Sequence, residues 1–206
     1  MITITQYWSE EPEGYNRTAK VQRPRASPGQ KFPLLLDLHG SGGQGNTKRF
    51  GQELKNSVVV LAPDGYNRKW GQGDQDQEFI LGLIELVAQT MPEADMDDVT
   101  IIGTSMGAMF LNKLLMNVPN PRPFHRAIPM YGQVSTNYYH DGSFWKHSPD
   151  DPLGEKPETF IKTNPATPGP PGGYIYFHGS KDGNSHYEGG SSRGKILLGA
   201  QVKQPQ

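Results

Sequence analysis

The sequence predicts a single α/β domain built on a mostly parallel sheet with helices on both faces. Three observations carry that expectation. Short apolar runs of strand length alternate along the chain with segments of helical periodicity. Each run is apolar almost throughout, as expected of a strand buried on both faces. Each also closes on Gly, His, Asp or Ser, at the carboxyl ends where parallel sheets gather their functional groups. A chain of 206 residues is long enough for one such domain with a sizeable core.

The elements follow in order. Residues 18–23 alternate weakly and read as an edge strand. Residues 32–38 form the first buried strand, closed by His39-Gly40-Ser41-Gly42-Gly43, and residues 57–62 the second, closed by Pro63-Asp64-Gly65. Over residues 77–90, Phe79, Ile80, Leu83, Ile84 and Val87 recur at helical spacing, with Asp74 or Asp76 as the expected cap. Residues 99–103 are the third buried strand and 108–116 the second helix, while 127–131 and 174–177 read as two later strands. The last of these closes on His178-Gly179-Ser180-Lys181-Asp182. Between them, residues 133–173 are rich in Pro, Gly and Asp and carry Tyr138, Tyr139, Phe144 and Trp145. A patternless stretch of that length reads as a loop-rich insertion folding over the site, or as a surface loop.

Composition removes several classes of function. Twenty Lys+Arg balance twenty-one Asp+Glu, so no basic stripe points to nucleic acid and no polycationic run to a membrane surface. Without cysteine there is no disulfide framework, thiol nucleophile or cysteine metal site. No two histidines stand at ligand spacing with a carboxylate, so neither a metal nor another cofactor is expected. The first residues lack a charged region followed by an apolar core, and no run approaches the roughly 18 apolar residues of a membrane span. The sequence as given reads as cytoplasmic, with secretion open had a leader been removed. Oligomeric state is not legible.

The chemistry concentrates at Gly103-Thr104-Ser105-Met106-Gly107, between a predicted strand and a predicted helix. Acyl transfer needs a nucleophile, a base for its proton, and donors for the developing oxyanion. In a G-x-S-x-G turn the serine takes a strained conformation while the flanking glycines let strand and helix approach without a Cβ clash. Ser105 is therefore the expected nucleophile, against the alternative of an ordinary serine between two elements. One oxyanion donor is the amide of Met106, and the other comes from the His39–Gly43 loop, where Ser41 is preferred and Gly42 second. Asp182 follows a late strand in the order expected of an acid that orients a histidine base, with a surface turn as the alternative. His39 and His178 read as structural residues of the strand-end turns, and His125, His140 and His147 as loop residues preceding that acid.

With these residues in hand, the chain resembles the α/β-hydrolase esterases of the polyhydroxybutyrate depolymerase and feruloyl esterase type. The resemblance runs over roughly residues 30 to 190. It rests on Leu38-His39-Gly40, Ala62-Pro63-Asp64-Gly65, Trp70 within Arg68-Lys69-Trp70-Gly71, residues 76–80, the Ser105 turn, and residues 178–190 with Asp182 and Tyr187-Glu188-Gly189-Gly190. It implies an α/β-hydrolase fold, Ser105 as nucleophile, Asp182 as triad acid and small-molecule or polymeric esters as substrates. In that family a further helix and strand follow the acid, and the catalytic histidine sits on the next loop. Too few residues follow Asp182 here for that set, so the domain is expected to be incomplete at its C-terminus and impaired as a catalyst. His186, the only later histidine, stands at an offset matching a noncatalytic family position and is not the expected base.

Two functions follow from the reading. The first is a serine hydrolase of carboxylic esters acting through an acyl-enzyme on Ser105. The second is a catalytically impaired binding protein that keeps the ester pocket. In either, Trp70 and Trp145 are the expected substrate contacts.

Overall fold

The computed structural model of the chain describes residues 1–71, 74–118 and 122–130. Among these, six strands form one sheet: β1 (Ile2–Trp8), β2 (Glu11–Gln22), β3 (Phe32–Leu38), β4 (Val59–Pro63), β5 (Ala94–Thr104) and β6 (Arg126–Met130). Their spatial order is β1-β2-β4-β3-β5-β6. β3 lies parallel to both β4 and β5, and β5 parallel to β6, while the β1–β2 hairpin joins antiparallel to β4. The helices are α1 (Gln52–Lys55), α2 (Gln75–Thr90) and α3 (Met106–Asn117), with short 3-10 turns at Thr47–Arg49 and Tyr66–Arg68. The mostly parallel sheet with helices is the fold class the sequence predicts.

The central strands form where the apolar runs are. All five residues of β4 are buried, and so is every residue of β3 except Pro33. Their side chains meet α2 and α3, which turn Phe79, Ile80, Leu83, Ile84 and Val87, and Met109, Phe110, Leu111 and Leu114, into one core with Leu34, Leu36, Leu38, Leu61 and Ile101. Burying each such side chain contributes about 1.5–3 kcal/mol, so the core outweighs any single turn or cap. Asp74 occupies the N-cap of α2, but its side chain makes no capping hydrogen bond. The other expected cap, Asp76, is buried and bonded elsewhere, as described below.

The N-terminal region departs from expectation. Residues 18–23 belong to a longer strand, β2, which lies inside the sheet between β1 and β4. The edge is β1, a strand the sequence reading did not assign. Its period-two alternation turns Ile2, Ile4, Gln6 and Trp8 inward and leaves Thr3, Thr5 and Tyr7 exposed. β1 then shields one side of β2, which accordingly carries the buried Arg17 and Ala19. The predicted strand at 174–177 and the insertion at 133–173 lie outside the described residues.

Candidate active site

β5 ends at Thr104 and α3 begins at Met106, which leaves Ser105 as the single residue of the turn. Its backbone stands at φ 52, ψ −114, a conformation that costs a non-glycine residue about 1–3 kcal/mol. The neighbours impose it. A Cβ on Gly103 would lie 2.4 Å from the Gly107 carbonyl oxygen, and one on Gly107 would lie 2.4 Å from that of Leu38. Both contacts are with backbone, so no rotamer change relieves them, and the start of α3 can press against β5 and β3 only with glycine at both positions. The Ser105 N–H donates to the Met130 carbonyl at 2.8 Å, and the Ser105 carbonyl accepts from the Met109 N–H at 3.1 Å. The side chain is left exposed at the carboxyl end of the sheet.

The loop after β3 runs against this turn. A Cβ built on Gly40 would stand 3.4 Å from the Ser105 Cβ. Gly42, at φ 71, donates its N–H to the Arg68 carbonyl at 2.8 Å, and the Gly43 N–H closes onto the Gly40 carbonyl at 3.0 Å. Gly42, the second choice for an oxyanion donor, therefore has its amide occupied. The Ser41 N–H finds no acceptor among the described residues. Met106 opens α3, so its N–H has no acceptor one turn earlier in the helix.

His39 and Trp70 fix this loop from beneath. The His39 ring accepts from the Gly65 N–H through Nε2 at 3.0 Å, and its Nδ1 lies 2.6 Å from the Gly40 carbonyl. Those partners specify a neutral ring with the proton on Nδ1, and burial lowers its pKa below the ordinary 6.5 in agreement. Both nitrogens are engaged, so His39 is structural, as its place in a strand-end turn suggested. Trp70 corrects an expectation. Read as a substrate contact, it is fully buried, stacked 5.3 Å from Phe110, with its indole N–H donating to the His39 carbonyl at 2.9 Å. An indole enclosed in the core has no face to offer a ligand.

The loop after β4 wraps the loop after β3. Asp64 accepts from the Gly45 N–H at 2.7 Å and from the Thr18 hydroxyl at 2.8 Å. Asn67 (φ 48) and Arg68 (φ 62) both take left-handed conformations. At the end of this loop the Gly71 N–H donates to Asp76 Oδ2 at 2.6 Å, while Asp76 Oδ1 meets Arg17 at 2.5 Å in a fully buried ion pair. Arg17 also donates to Gln6 on β1 and stacks over Phe79 on α2. This network was not visible in the sequence, because its members come from four separate segments.

On the opposite face of β3 from Leu36 and Leu38 lies Asp37, whose Oδ1 sits 2.7 Å from Arg49 Nη2. Burial pushes its carboxyl up to about 6 against the opposing pull of Arg49. Arg49 also donates to the Thr104 hydroxyl at 3.3 Å, next to Ser105.

Among the described residues, no group of three or more His, Cys, Asp or Glu could hold a metal ion. His125 is tied to Val99, accepting its N–H at Nδ1 and donating its own backbone N–H to its carbonyl. Asp182, Trp145, His140, His147, His178 and His186 lie outside the described residues. The structure thus brings together Ser105, the Met106 amide and the Ser41 loop.

No family model matches the sequence, and no curated protein matches it. Solved structures do. An S-formylglutathione hydrolase from Staphylococcus aureus aligns with a TM-score of 0.52 at 18% identity, over 68% of this chain and 60% of that one. A substrate-bound fluorophosphonate-binding serine hydrolase from the same organism aligns at 0.54 and 17% identity, over 81% and 75%. An acylaminoacyl peptidase from Pyrococcus horikoshii aligns at 0.65 and 18% identity, over 97% of this chain and 35% of its own. The second of these is by name a serine hydrolase, and at such identities the likeness establishes the fold alone, which is α/β-hydrolase-like. The chain spans about 60% of the first of them and about a third of the peptidase.

Proposed function

We propose that this chain is a serine hydrolase that cleaves carboxylic esters through an acyl-enzyme on Ser105. The observation that carries the reading is the serine itself. It stands alone at φ 52 between β5 and α3, exposed, with glycines on both sides that nothing larger could replace. A strained non-glycine residue at the carboxyl end of a parallel sheet marks a functional position. The serine hydrolases among the structural neighbours support the same class of chemistry. The resemblance to polyhydroxybutyrate depolymerases and feruloyl esterases narrows it to esters.

In the proposed reaction the Ser105 hydroxyl attacks the acyl carbon and a histidine takes its proton. The amides of Met106 and Ser41 hold the oxyanion of the tetrahedral intermediate. Collapse expels the alcohol, which receives that proton, and water then attacks the acyl-enzyme by the reverse sequence of transfers. Asp182 orients the histidine, and Trp145 contacts the substrate. The described histidines do not serve as the base: His39 has both ring nitrogens engaged, and His125 is tied to Val99. We therefore assign the base to a histidine outside the described residues.

A fluorophosphonate probe tests the proposal, because only an activated serine reacts with it. The expected result is labelling of the wild-type protein and none of Ser105→Ala. A wild-type protein that stays unlabelled while binding esters would replace this reading with that of an impaired binding protein.

A further inference from the structure

Several hydrogen bonds tie the loop after β4 to the loop after β3. Gly65 donates to the His39 ring at 3.0 Å and Trp70 to the His39 carbonyl at 2.9 Å, while Gly45 donates to Asp64 at 2.7 Å and Gly42 to the Arg68 carbonyl at 2.8 Å. The last of these engages the amide next to Ser41, and its acceptor belongs to a residue held at φ 62. Asparagine tolerates the left-handed region; arginine has no such excuse. Nor does the side chain explain the position, since Arg68 is exposed and forms no ion pair among the described residues.

What the conformation does is aim a carbonyl. Two successive left-handed residues, Asn67 (φ 48, ψ 36) and Arg68, reverse the chain sharply enough to present the Arg68 oxygen to Gly42. The reversal is fastened by the Arg68 N–H on the Gly65 carbonyl and the Lys69 N–H on that of Tyr66, each at 3.0 Å, and by the Tyr66 hydroxyl on Glu11 at 2.7 Å. Gly65 admits no side chain there, because a Cβ would lie 2.1 Å from the Lys69 carbonyl oxygen.

We infer that the Asn67–Arg68 turn is a positioning device for the oxyanion site, which by occupying the Gly42 amide leaves that of Ser41 as the free donor beside Ser105. The inference rests on the proposed ester hydrolysis and adds to it the residue that sets its donor geometry. Arg68 touches no reacting atom; it acts through the peptide groups of the neighbouring loop. Without its carbonyl, residues 41–42 are held only by the Gly43–Gly40 hydrogen bond that spans them, and a donor less firmly preorganised loses much of its effect on the transition state while ground-state binding is little changed.

The experiment is a series at residue 68, with kcat and KM measured on a short p-nitrophenyl ester and amide hydrogen exchange followed at Gly42. Arg68→Gly keeps the left-handed conformation and removes the side chain, so kcat and Gly42 protection stay at wild-type levels. Arg68→Val cannot hold that conformation, and kcat should fall by about 10²-fold, the effect of losing one oxyanion donor, with KM nearly unchanged. Gly42 should lose its protection in the same variant. Arg68→Ala, less disfavoured than valine, should fall between them and serves if the valine variant does not fold. Loss of Gly42 protection with kcat at the wild-type level overturns the inference and leaves the hydrolase reading intact. Wild-type protein without any turnover that depends on Ser105 overturns both.

Discussion

Two turns at the carboxyl end of the sheet hold non-glycine residues at positive φ, and they are held in opposite ways. Ser105 owes its place to glycines of its own pentapeptide: Gly103 lets strand and helix close on it, and Gly107 lets the start of that helix meet the Leu38 and His39 carbonyls. Asn67 and Arg68 close locally on Gly65 and Tyr66, carry no flanking glycine pair, and are tied to distant segments through Gly42 and the Tyr66–Glu11 hydrogen bond. A turn of the first kind is written in a pentapeptide. One of the second kind has no such signature and takes part of its hold from other segments, so it should respond to substitutions at a distance.

The largest expected effect separates strain from chemistry at the first turn. With a histidine base in place, Ser105→Ala should lower ester turnover by about 10⁶-fold, the loss measured for a missing triad nucleophile, with the melting temperature within a few degrees of wild type. Turnover that survives the substitution would remove Ser105 from the reaction. Next in size is a change aimed at the second turn from outside. Asp76→Ala leaves the fully buried Arg17 guanidinium without its counter-charge and frees the Gly71 amide, at a cost of about 3–5 kcal/mol. Denaturant unfolding measures that loss. A near-neutral result would mean the loop is not held by this network.

Gly107→Ala is the local counterpart. Its new methyl group would stand 2.4 Å from the Leu38 carbonyl oxygen and 2.7 Å from that of His39, and the strain should cost about 3 kcal/mol in the same assay. Unchanged stability would show that α3 can slide away and that the elbow is less tightly imposed than its contacts imply.

The smallest effect concerns pH beside the elbow. The Asp37 carboxyl is raised from 3.8 to about 6 by burial, so the protonated form is favoured in the folded state. Its contribution to stability is complete below about 3.8 and is lost as pH rises through about 6. Asp37→Asn should therefore be more stable than wild type at pH 8, by on the order of 2 kcal/mol, with the advantage shrinking as pH falls towards 4. Melting temperatures across that range measure it. His39 pulls the other way: its lowered pKa gives stability above 6.5 that is lost on acidification, and the Asp37→Asn protein should expose that acid loss more plainly. A wild-type protein and variant with parallel pH profiles would mean that the Arg49 ion pair compensates the burial of Asp37 fully.

Much of the fold was legible because its signals are local. The apolar runs of β3, β4 and β5 and the stripe from Phe79 to Val87 appear where periodicity placed them. So does the Ser105 turn. The alternation of Ile2, Ile4, Gln6 and Trp8 was equally local and marks β1, but it begins at the first residues and has no apolar run to draw attention to it. The burial of Trp70 was not legible. An aromatic residue in a Gly-rich loop reads the same whether its ring faces a ligand or Phe110. The pairing of Arg17 with Asp76 depends on β2 lying beside the start of α2, which no short stretch encodes.

The strand order also bears on when the site comes into being. β1 and β2 are neighbours in sequence and can pair as a hairpin in roughly 1–10 μs, whereas pairing β3 with β4 and with β5 requires closing longer loops. On the ribosome, which delivers the chain from its N-terminus, the glycine loop after β3 and the Asn67–Arg68 turn are both synthesised before β5 appears. Pairing of β5 with β3 therefore brings Ser105 beside a loop that was synthesised earlier. The loop proposed to hold the oxyanion is made before the serine proposed to attack.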